Sequence, residues 1–256
     1  MPPQGFVVRR GRRLFPYERL WTTVVTYRSI RFPAVGSTND VALDAAQAGQ
    51  DPGLVVSAGI QTAGKGQSAR DWESNPGGLW ASVILDVDPP GPTRGLIPLA
   101  VGCAICRALD DLGAEVQLRW PNDLMRGDDK LGGILVETRS TREALDVVVA
   151  GMGLNVVNEP PVADAENLAD LSPTPSPEDV LAAVLERLPA MERALREGDA
   201  DRICRVFMDN AWGMGEPMAF DGEPVVPKDV AIDGALIVED PEGEVSVHRS
   251  GSLRRR

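Results

Sequence analysis

The stretch with the clearest chemical potential is a glycine-rich run, GIQTAGKGQS, at residues 59–68. Gly59, Gly64 and Lys65 match the G-x-x-x-x-G-K part of a phosphate-binding P-loop, but Gly66 stands where that loop needs Ser or Thr to hold Mg²⁺. The residues that follow include a Pro-Gly-Gly sequence, which leaves little room for the helix whose N-terminus would face a phosphate. The sequence therefore excludes a true P-loop.

The same loop still suits an anion. Gly64 and Gly66 allow backbone N–H groups to surround an oxyanion. Lys65 and Arg70 add positive charge, and Trp72 offers an apolar cover. Because glycine-rich surface loops are also common as plain flexible connections, these residues alone leave both interpretations open.

The elements that must position this loop alternate between strands and helices. Ser37 or Thr38 is predicted to cap a helix that runs to Ala48, and a second helix is predicted from about Leu96 to Leu112. Predicted strands are WTTVVTYRSIRF, LVVSAGI, LWASVILDV, VQLRW, KLGGILVET and ALDVVVAGMGLNVV, with PNDLMRGDDK as a turn. This interleaving predicts a sheet domain of the α/β or α+β class.

The C-terminal part has a different pattern of predicted elements. Two helices are predicted, in EDVLAAVLERLPAMERALREG and around DADRICRVFMDNAW. After Gly213, short β-like runs alternate with D-G, E-G and Pro turns. This pattern predicts a small β-barrel.

Charge and composition exclude several classes of function. The 256 residues carry a net charge of −12, which works against binding along a nucleic-acid backbone. No run approaches the roughly 18 apolar residues of a membrane helix, and the N-terminus lacks a secretory signal, so we expect a cytoplasmic protein without a membrane partner. The first 31 residues hold seven arginines against Glu18. We interpret them as a solvated extension, with a nucleic-acid arm or a transit peptide as alternatives.

Cysteine and histidine usage argues against redox and metal chemistry. Cys103 and Cys106 lie within a predicted helix, where both thiols are expected to be small buried hydrophobes. His248 is the only histidine, so a site with several histidine ligands is excluded and no protein-held metal is predicted.

Five blocks in fixed order make the chain resemble the biotin protein ligases: GSTND, QTAGKGQSARDW, LRWPNDL, KLGGILVE and GMGLNV. The resemblance runs from about Gly36 to Asn158. It implies an α+β fold, with a mixed-sheet biotin/lipoate ligase catalytic domain and a small C-terminal SH3-like β-barrel. The implied organisation is a basic extension at residues 1–30, a catalytic domain at 31–212 and the SH3-like domain at 213–256.

The resemblance also implies a reaction and its partners. Such enzymes condense biotin with ATP to biotinyl-5′-AMP and pass the biotinyl group to a lysine of the biotin carboxyl carrier domain of a carboxylase. Mg²⁺ is expected to arrive with ATP. We expect the monofunctional type without a DNA-binding domain, because only some 35 residues precede Gly36 and show no helix-turn-helix pattern. A homodimer is possible.

Site residues follow from the resemblance, position by position. Lys130 is implied to contact the biotin carboxylate and the α-phosphate, Asp123 to orient the acceptor lysine or take its proton, and Arg70 to assist catalysis. The implied biotin-binding residues are Ser37, Thr38, Asn39, Gln61, Lys65, Gly66, Gln67, Lys130, Gly132 and Gly133. The implied ATP and adenylate residues are Lys65, Arg70, Trp72, Asn122, Lys130 and Asn155.

The glycine-rich loop departs from the common family pattern G-R-G-R-x-G-R-x-W. Lys65, Gln67 and Ala69 replace arginine, arginine and glycine, so fewer phosphate contacts are expected. The alternatives are a lipoate-type protein ligase, whose R-R-x-S-G-G-G block is absent, a catalytically weak biotin-binding module, and a biotin-responsive repressor.

Overall fold

The structure is a computed structural model that describes residues 26–67, 70–87, 91–140, 146–160 and 162–255. The predicted basic extension therefore lies outside the described residues, except for positions 26–30. Among the described helices, none is long and apolar enough to cross a membrane.

A seven-stranded mixed sheet forms the centre of the molecule. Its spatial order is β1-β2-β3-β7-β6-β5-β4, and only β1 and β2 are parallel. Every residue of β2 and β3 is buried, which explains their continuous apolar sequences. The strands are β1 (Arg28–Phe32), β2 (Leu54–Ala58), β3 (Leu79–Ile84), β4 (Gln117–Arg119), β5 (Asp123–Arg126), β6 (Asp129–Ser140) and β7 (Asp146–Leu154).

Four α-helices pack against this sheet: α1 (Thr38–Gln47), α2 (Ile97–Asp111), α3 (Pro177–Glu197) and α4 (Ala200–Asn210). A short 3-10 helix, Gly91–Leu96, leads into α2. Helix α3 starts with a capping box between Ser176 and Asp179 and ends at Gly198 in the left-handed conformation. Ser37 occupies the N-cap position of α1, but its side chain makes no capping hydrogen bond, so the predicted cap is only positional.

The predicted turn PNDLMRGDDK is wrong in part, because it contains a strand. Leu124 and Met125 are buried within β5, which pairs with β4 on one side and β6 on the other. Asn, Gly and Asp residues flank this strand, and their turn propensity masks its short apolar centre. The placement matters because β5 begins with Asp123 and Lys130 lies on β6.

The C-terminal residues form a second, wholly antiparallel sheet with the order β11-β10-β9-β8-β12. Its strands are β8 (Met218–Phe220), β9 (Glu223–Val230), β10 (Leu236–Glu239), β11 (Val245–His248) and β12 (Leu253–Arg255). The predicted small β domain is confirmed as a five-stranded sheet. Within the described residues β11 and β12 do not pair, so this sheet is open where a closed barrel was predicted.

One hydrophobic cluster joins both sheets and the helices. It includes Trp120 from the first sheet region and Phe220, Leu236 and Leu253 from the second. Cys103 and Cys106 are free and buried in α2, as predicted, and burial raises the pKa of the Cys106 thiol to about 12. Such thiols stay protonated near neutral pH and act as small apolar side chains.

Candidate active site

A cavity of about 480 Å³ lies where the start of α1, the glycine-rich loop and the ends of β5, β6 and β7 meet. Every site residue predicted from the sequence lines it except Gly132. Lining residues that the sequence did not single out include Asp71, Glu73, Arg119, Met125, Asp128, Ile134, Leu135, Gly151, Met152, Gly153, Val162, Asp164 and Ala165.

One end of the cavity is a neutral, hydrogen-bonded polar network. The backbone N–H and hydroxyl of Thr38 lie 2.8 and 3.0 Å from Gln61 Oε1, and Gln61 Nε2 donates to Ser74 Oγ at 2.8 Å. Ser82 Oγ lies 2.7 Å from Thr38 Oγ1 and 2.6 Å from Asn39 Oδ1. These groups are therefore held in fixed orientations before any ligand arrives.

Asn39 is fixed from behind by a carboxylate. Its Nδ2 donates to Glu137 Oε2 at 2.7 Å and to the Leu135 carbonyl at 3.3 Å. The remaining amide oxygen faces Ser82, so the assignment of Asn39 O and N follows from its partners. Sequence reasoning missed Ser82 and Glu137, although a serine within the apolar strand LWASVIL was a usable signal.

The centre of the cavity holds a carboxylate between two cations. Lys130 Nζ lies 2.5 Å from Asp123 Oδ1, and Arg119 Nη2 lies 2.6 Å from Asp123 Oδ2. Burial by itself raises the pKa of Asp123, but attraction to Lys130 and hydrogen bonds from Lys130 and Arg119 outweigh it, so the pKa is lowered overall. Asp123 is thus an ionised group with both oxygens engaged.

Trp72 forms part of the cavity wall and is not the outer cover predicted from the sequence. Its ring lies against the backbone of Gly133 and Gly153, and a Cβ on Gly153 would stand 2.8 Å from Trp72 Nε1. Lys130 Nζ lies 5.2 Å from the Trp72 ring centroid, within cation–π range. Within the described part of the chain, the buried Trp72 Nε1–H has no hydrogen-bond partner.

Gly132 does not line the cavity. A Cβ at this position would lie 2.4 Å from the Gly153 carbonyl oxygen and close to Leu154, so the residue must be small for β6 and β7 to pair. Strand alternation explains the difference, because neighbours on a strand face opposite sides. Gly133 faces the cavity, where a Cβ would lie 3.5 Å from the Trp72 ring, an ordinary van der Waals distance.

The glycine-rich loop is tied to α1 and to itself. Lys65 Nζ lies 2.5 Å from Asp40 Oδ1, and the Gly66 N–H donates to the Arg70 carbonyl at 2.7 Å. Arg70 Nε donates in turn to the Gln67 carbonyl at 3.2 Å. Lys65 and Arg70 are exposed, so the loop presents its cations at the cavity mouth. Ala69, one of the three departures from the family pattern, lies outside the described residues.

The two asparagines assigned to the nucleotide have their amides engaged by the protein. Asn122 Nδ2 donates to the Ile134 carbonyl at 2.6 Å. Asn155 Nδ2 donates to the Glu166 carbonyl at 3.1 Å, and its Oδ1 accepts from Asn158 at 2.9 Å. These bonds hold the strand ends and the segment 162–166 in place beside Lys130. Contact with a nucleotide stays a prediction for both residues.

Comparison with known proteins agrees with this geometry. Residues 32–155 match the sequence profile of the Biotin/lipoate A/B protein ligase family. This part of the chain is similar to the members of that family. The matched region supplies the polar network, the glycine-rich loop and the Lys130, Asp123 and Arg119 cluster.

Individual relatives carry ligase names. The chain is 32% identical to the Bifunctional ligase/repressor BirA of Bacillus subtilis over 143 residues, covering 55% of this chain and 44% of that protein. It is 38% identical to the Biotin--[acetyl-CoA-carboxylase] ligase of Mycobacterium tuberculosis over 148 residues, covering 53% of each. The chain thus spans about half the length of the curated relatives it matches.

The fold extends the likeness beyond that region. A biotin protein ligase from Aquifex aeolicus, solved in complex with biotin and ATP, superposes with a TM-score of 0.73 at 25% identity. The match covers 89% of this chain and 99% of the Aquifex chain. The molecule therefore has the biotin protein ligase fold, including a C-terminal β-sheet.

Proposed function

We propose that this protein is a biotin–[biotin carboxyl carrier protein] ligase. It would form biotinyl-5′-AMP from biotin and ATP and then transfer the biotinyl group to a lysine of a carboxylase carrier domain. One observation carries the proposal: a single cavity joins a neutral, pre-arranged polar end to the Lys130 cation. That combination suits a ligand with a polar uncharged head and a carboxylate tail.

The polar end is the proposed biotin head site. The ureido ring of biotin has N–H donors and a carbonyl acceptor, all of which need partners once they are buried. Thr38, Asn39 and Gln61 supply hydroxyl and amide groups there, and Ser37 completes the wall. Lipoate has a dithiolane ring with no such hydrogen-bonding groups, so this end favours biotin over the lipoate alternative.

Lys130 is the proposed centre of adenylate formation. A biotin carboxylate oxygen attacks the α-phosphorus of ATP, a new P–O bond forms, and pyrophosphate leaves. Lys130 would neutralise charge on the carboxylate and α-phosphate oxygens as this happens. Lys65, Gln67 and Arg70 would add contacts from the loop, while Trp72, Asn122 and Asn155 border the nucleotide.

Asp123 has an orienting role in the proposed transfer step. The acceptor lysine amine attacks the biotinyl carbonyl, AMP leaves, and the amine gives up a proton. A carboxylate with a lowered pKa and two cationic partners is a weak proton acceptor. Of the two predicted roles, orienting the amine is therefore the one that this environment favours.

Mg²⁺ would enter with ATP and shield its phosphates. Magnesium prefers carboxylate and phosphate oxygens and usually keeps several waters. Asp128 and Asp164, which line the cavity, offer carboxylates to such an ion. Because ATP and carboxylases are available there, we propose the cytoplasm as the site of action.

The test uses the full chain with biotin, ATP, Mg²⁺ and a purified biotin carboxyl carrier domain. We expect biotin-dependent pyrophosphate release and biotin covalently attached to the carrier, both lost in Lys130→Ala. Lipoate in place of biotin is the matched control and should give neither product. Calorimetric biotin binding without pyrophosphate release would instead support a biotin-binding module, and turnover with lipoate would overturn the biotin assignment.

A further inference from the structure

Arg119 connects the reactive centre to the rest of the molecule in a way that its sequence position does not reveal. Its Nη2 lies 2.6 Å from Asp123 Oδ2, while Lys130 occupies the other oxygen. Its guanidinium carbon also lies 5.5 Å from the centroid of the Trp212 ring. One planar guanidinium thus makes a hydrogen bond and an aromatic contact together, with a rigid fork of N–H donors that a lysine ammonium does not have.

Trp212 is itself fixed by the backbone around the site. It is 2% exposed, and its Nε1–H donates to the Gly127 carbonyl at 3.0 Å, in the turn between β5 and β6. Its backbone N–H donates to the Leu118 carbonyl at 3.1 Å, on β4. Trp212 therefore hydrogen-bonds to the turn that follows β5 and to the neighbouring strand β4, on either side of Asp123.

The C-terminal sheet contacts the same tryptophan. Arg255 of β12 places its guanidinium carbon 5.2 Å from the Trp212 ring centroid, and it forms ion pairs with Asp128 and Glu216. Among the described residues, none beyond Ala165 lines the cavity. Any influence of the C-terminal sheet on the cavity must therefore pass through contacts such as these.

We propose that Arg119 is a positioning residue, held by Trp212 and through it by the C-terminal sheet, that fixes Asp123 and so the ammonium of Lys130. Its catalytic consequence rests on the proposed ligase function, while the link from Trp212 to Asp123 does not. Without Arg119, Asp123 is free to rotate toward Lys130 with either oxygen. The lysine would then lose its single defined position, and reaction geometry is sensitive to such shifts.

The first experiment compares Arg119→Lys and Trp212→Phe with wild type in biotin-dependent pyrophosphate release. We expect kcat to fall about tenfold to a hundredfold in both variants, with the KM for biotin changed less than about twofold, because substrate binding is retained and alignment is lost. Arg187→Lys is the matched control, since Arg187 pairs with Asp111 away from the cavity, and it should behave as wild type.

The second measurement is independent of activity. The side-chain carboxyl of Asp123 is titrated by carbon-detected NMR in wild type, Arg119→Lys and Trp212→Phe. Circular dichroism checks that each protein is folded. Trp212→Phe changes no charge and leaves the Arg119 guanidinium in place, so a merely structural tryptophan should not move this titration. We expect the pKa of Asp123 to rise in both Arg119→Lys and Trp212→Phe.

The outcomes separate the two proposals. The positioning link is overturned if the folded Trp212→Phe protein has the same Asp123 pKa and the same kcat as wild type. If wild type releases no pyrophosphate, the ligase proposal fails, and the titration alone still decides the link.

Discussion

Two lysines at the cavity make the same ion pair in different settings. Lys65 and Lys130 each lie 2.5 Å from an aspartate oxygen, Asp40 in the first case and Asp123 in the second. The Lys65 and Asp40 side chains are 43% and 40% exposed, whereas Asp123 is 19% exposed. Lys130 stands on a strand against Trp72, while Lys65 stands on a loop.

The difference in exposure indicates that Lys130 is held in one position, whereas Lys65 can move to another partner. An exposed ion pair contributes only about 0–1 kcal/mol, so Lys65 can leave Asp40 for a phosphate at little cost. The Asp123 carboxylate is held by two cations, and removing either partner leaves a partly buried charge poorly compensated. We infer that Lys130 is held in place before a ligand binds and that Lys65 can shift from Asp40 to a bound phosphate.

The strongest test of this contrast is Lys130→Ala. We expect adenylate formation to fall about 10²- to 10³-fold, because the main cation at the reacting oxygens is lost. Pyrophosphate release measures the effect, and Lys65→Ala is the paired control, with a smaller loss expected. Near-normal turnover of a folded Lys130→Ala protein would remove this lysine from the mechanism.

Asp123→Asn tests the partly buried Lys130–Asp123 pair through protein stability. The amide leaves Lys130 and Arg119 without a charged partner, so we expect the free energy of unfolding to fall by about 1–3 kcal/mol near neutral pH. The folded-state pKa of Asp123 is lowered from 3.8, so its stabilisation is complete above that value and is lost as pH falls through the folded-state pKa.

Urea unfolding of wild type and Asp123→Asn checks this pH dependence. The difference between the two proteins should be constant from about pH 5 to 7 and shrink in stronger acid. A difference that grows as the pH falls would contradict the assignment of Asp123 as a stabilising ionised group.

Gln67→Arg combined with Ala69→Gly restores the family pattern at two loop positions. We expect biotinyl-AMP to dissociate about tenfold to a hundredfold more slowly, because an added charged hydrogen bond contributes roughly 1.5–3 kcal/mol. Limited proteolysis near Lys65 should also show more protection with ligand than without it. Faster dissociation from the double variant would mean that Gln67 and Ala69 suit this particular loop.

The smallest effect is expected for Asp40→Asn, which releases Lys65. Unfolding free energy should change by no more than about 1 kcal/mol, and any gain in ligand affinity should be less than about fivefold and decline with added salt. Asp44→Asn is the matched control, since Asp44 lies on the same helix and pairs with Arg139. An effect as large as that of Asp123→Asn would erase the distinction between the two lysines.

The sequence located the cavity well because short motifs keep their order along the chain. Ser37, Gln61, Lys130 and Asn155 are far apart in sequence, yet each lies at the cavity as predicted. The alternation of strands and helices followed from apolar patterning and from glycine and proline positions, whereas the mixed sheet was implied by the family resemblance.

The sequence did not show which side of a strand each residue faces or which residues distant in sequence it contacts. Gly132 was assigned to the ligand because its motif includes it, but strand alternation turns it toward Leu154. Arg119 and Glu137 have partners that no local pattern shows. β5 was missed because two buried residues between turn-forming ones give too short a periodic signal.

The shared contacts around Trp120 have a consequence for how the protein is made. Trp120 lies three residues before Asp123, and its Nε1–H donates to the carbonyl of Gly234, between β9 and β10. In a growing chain, the residues that line the cavity, up to Ala165, are synthesised before Trp212 and Gly234. Trp212 and Gly234 do not line the cavity, but they hydrogen-bond to residues next to it, so these supporting contacts form only after every described lining residue has been synthesised. The structural support of the cavity is therefore completed later in synthesis than the cavity lining itself.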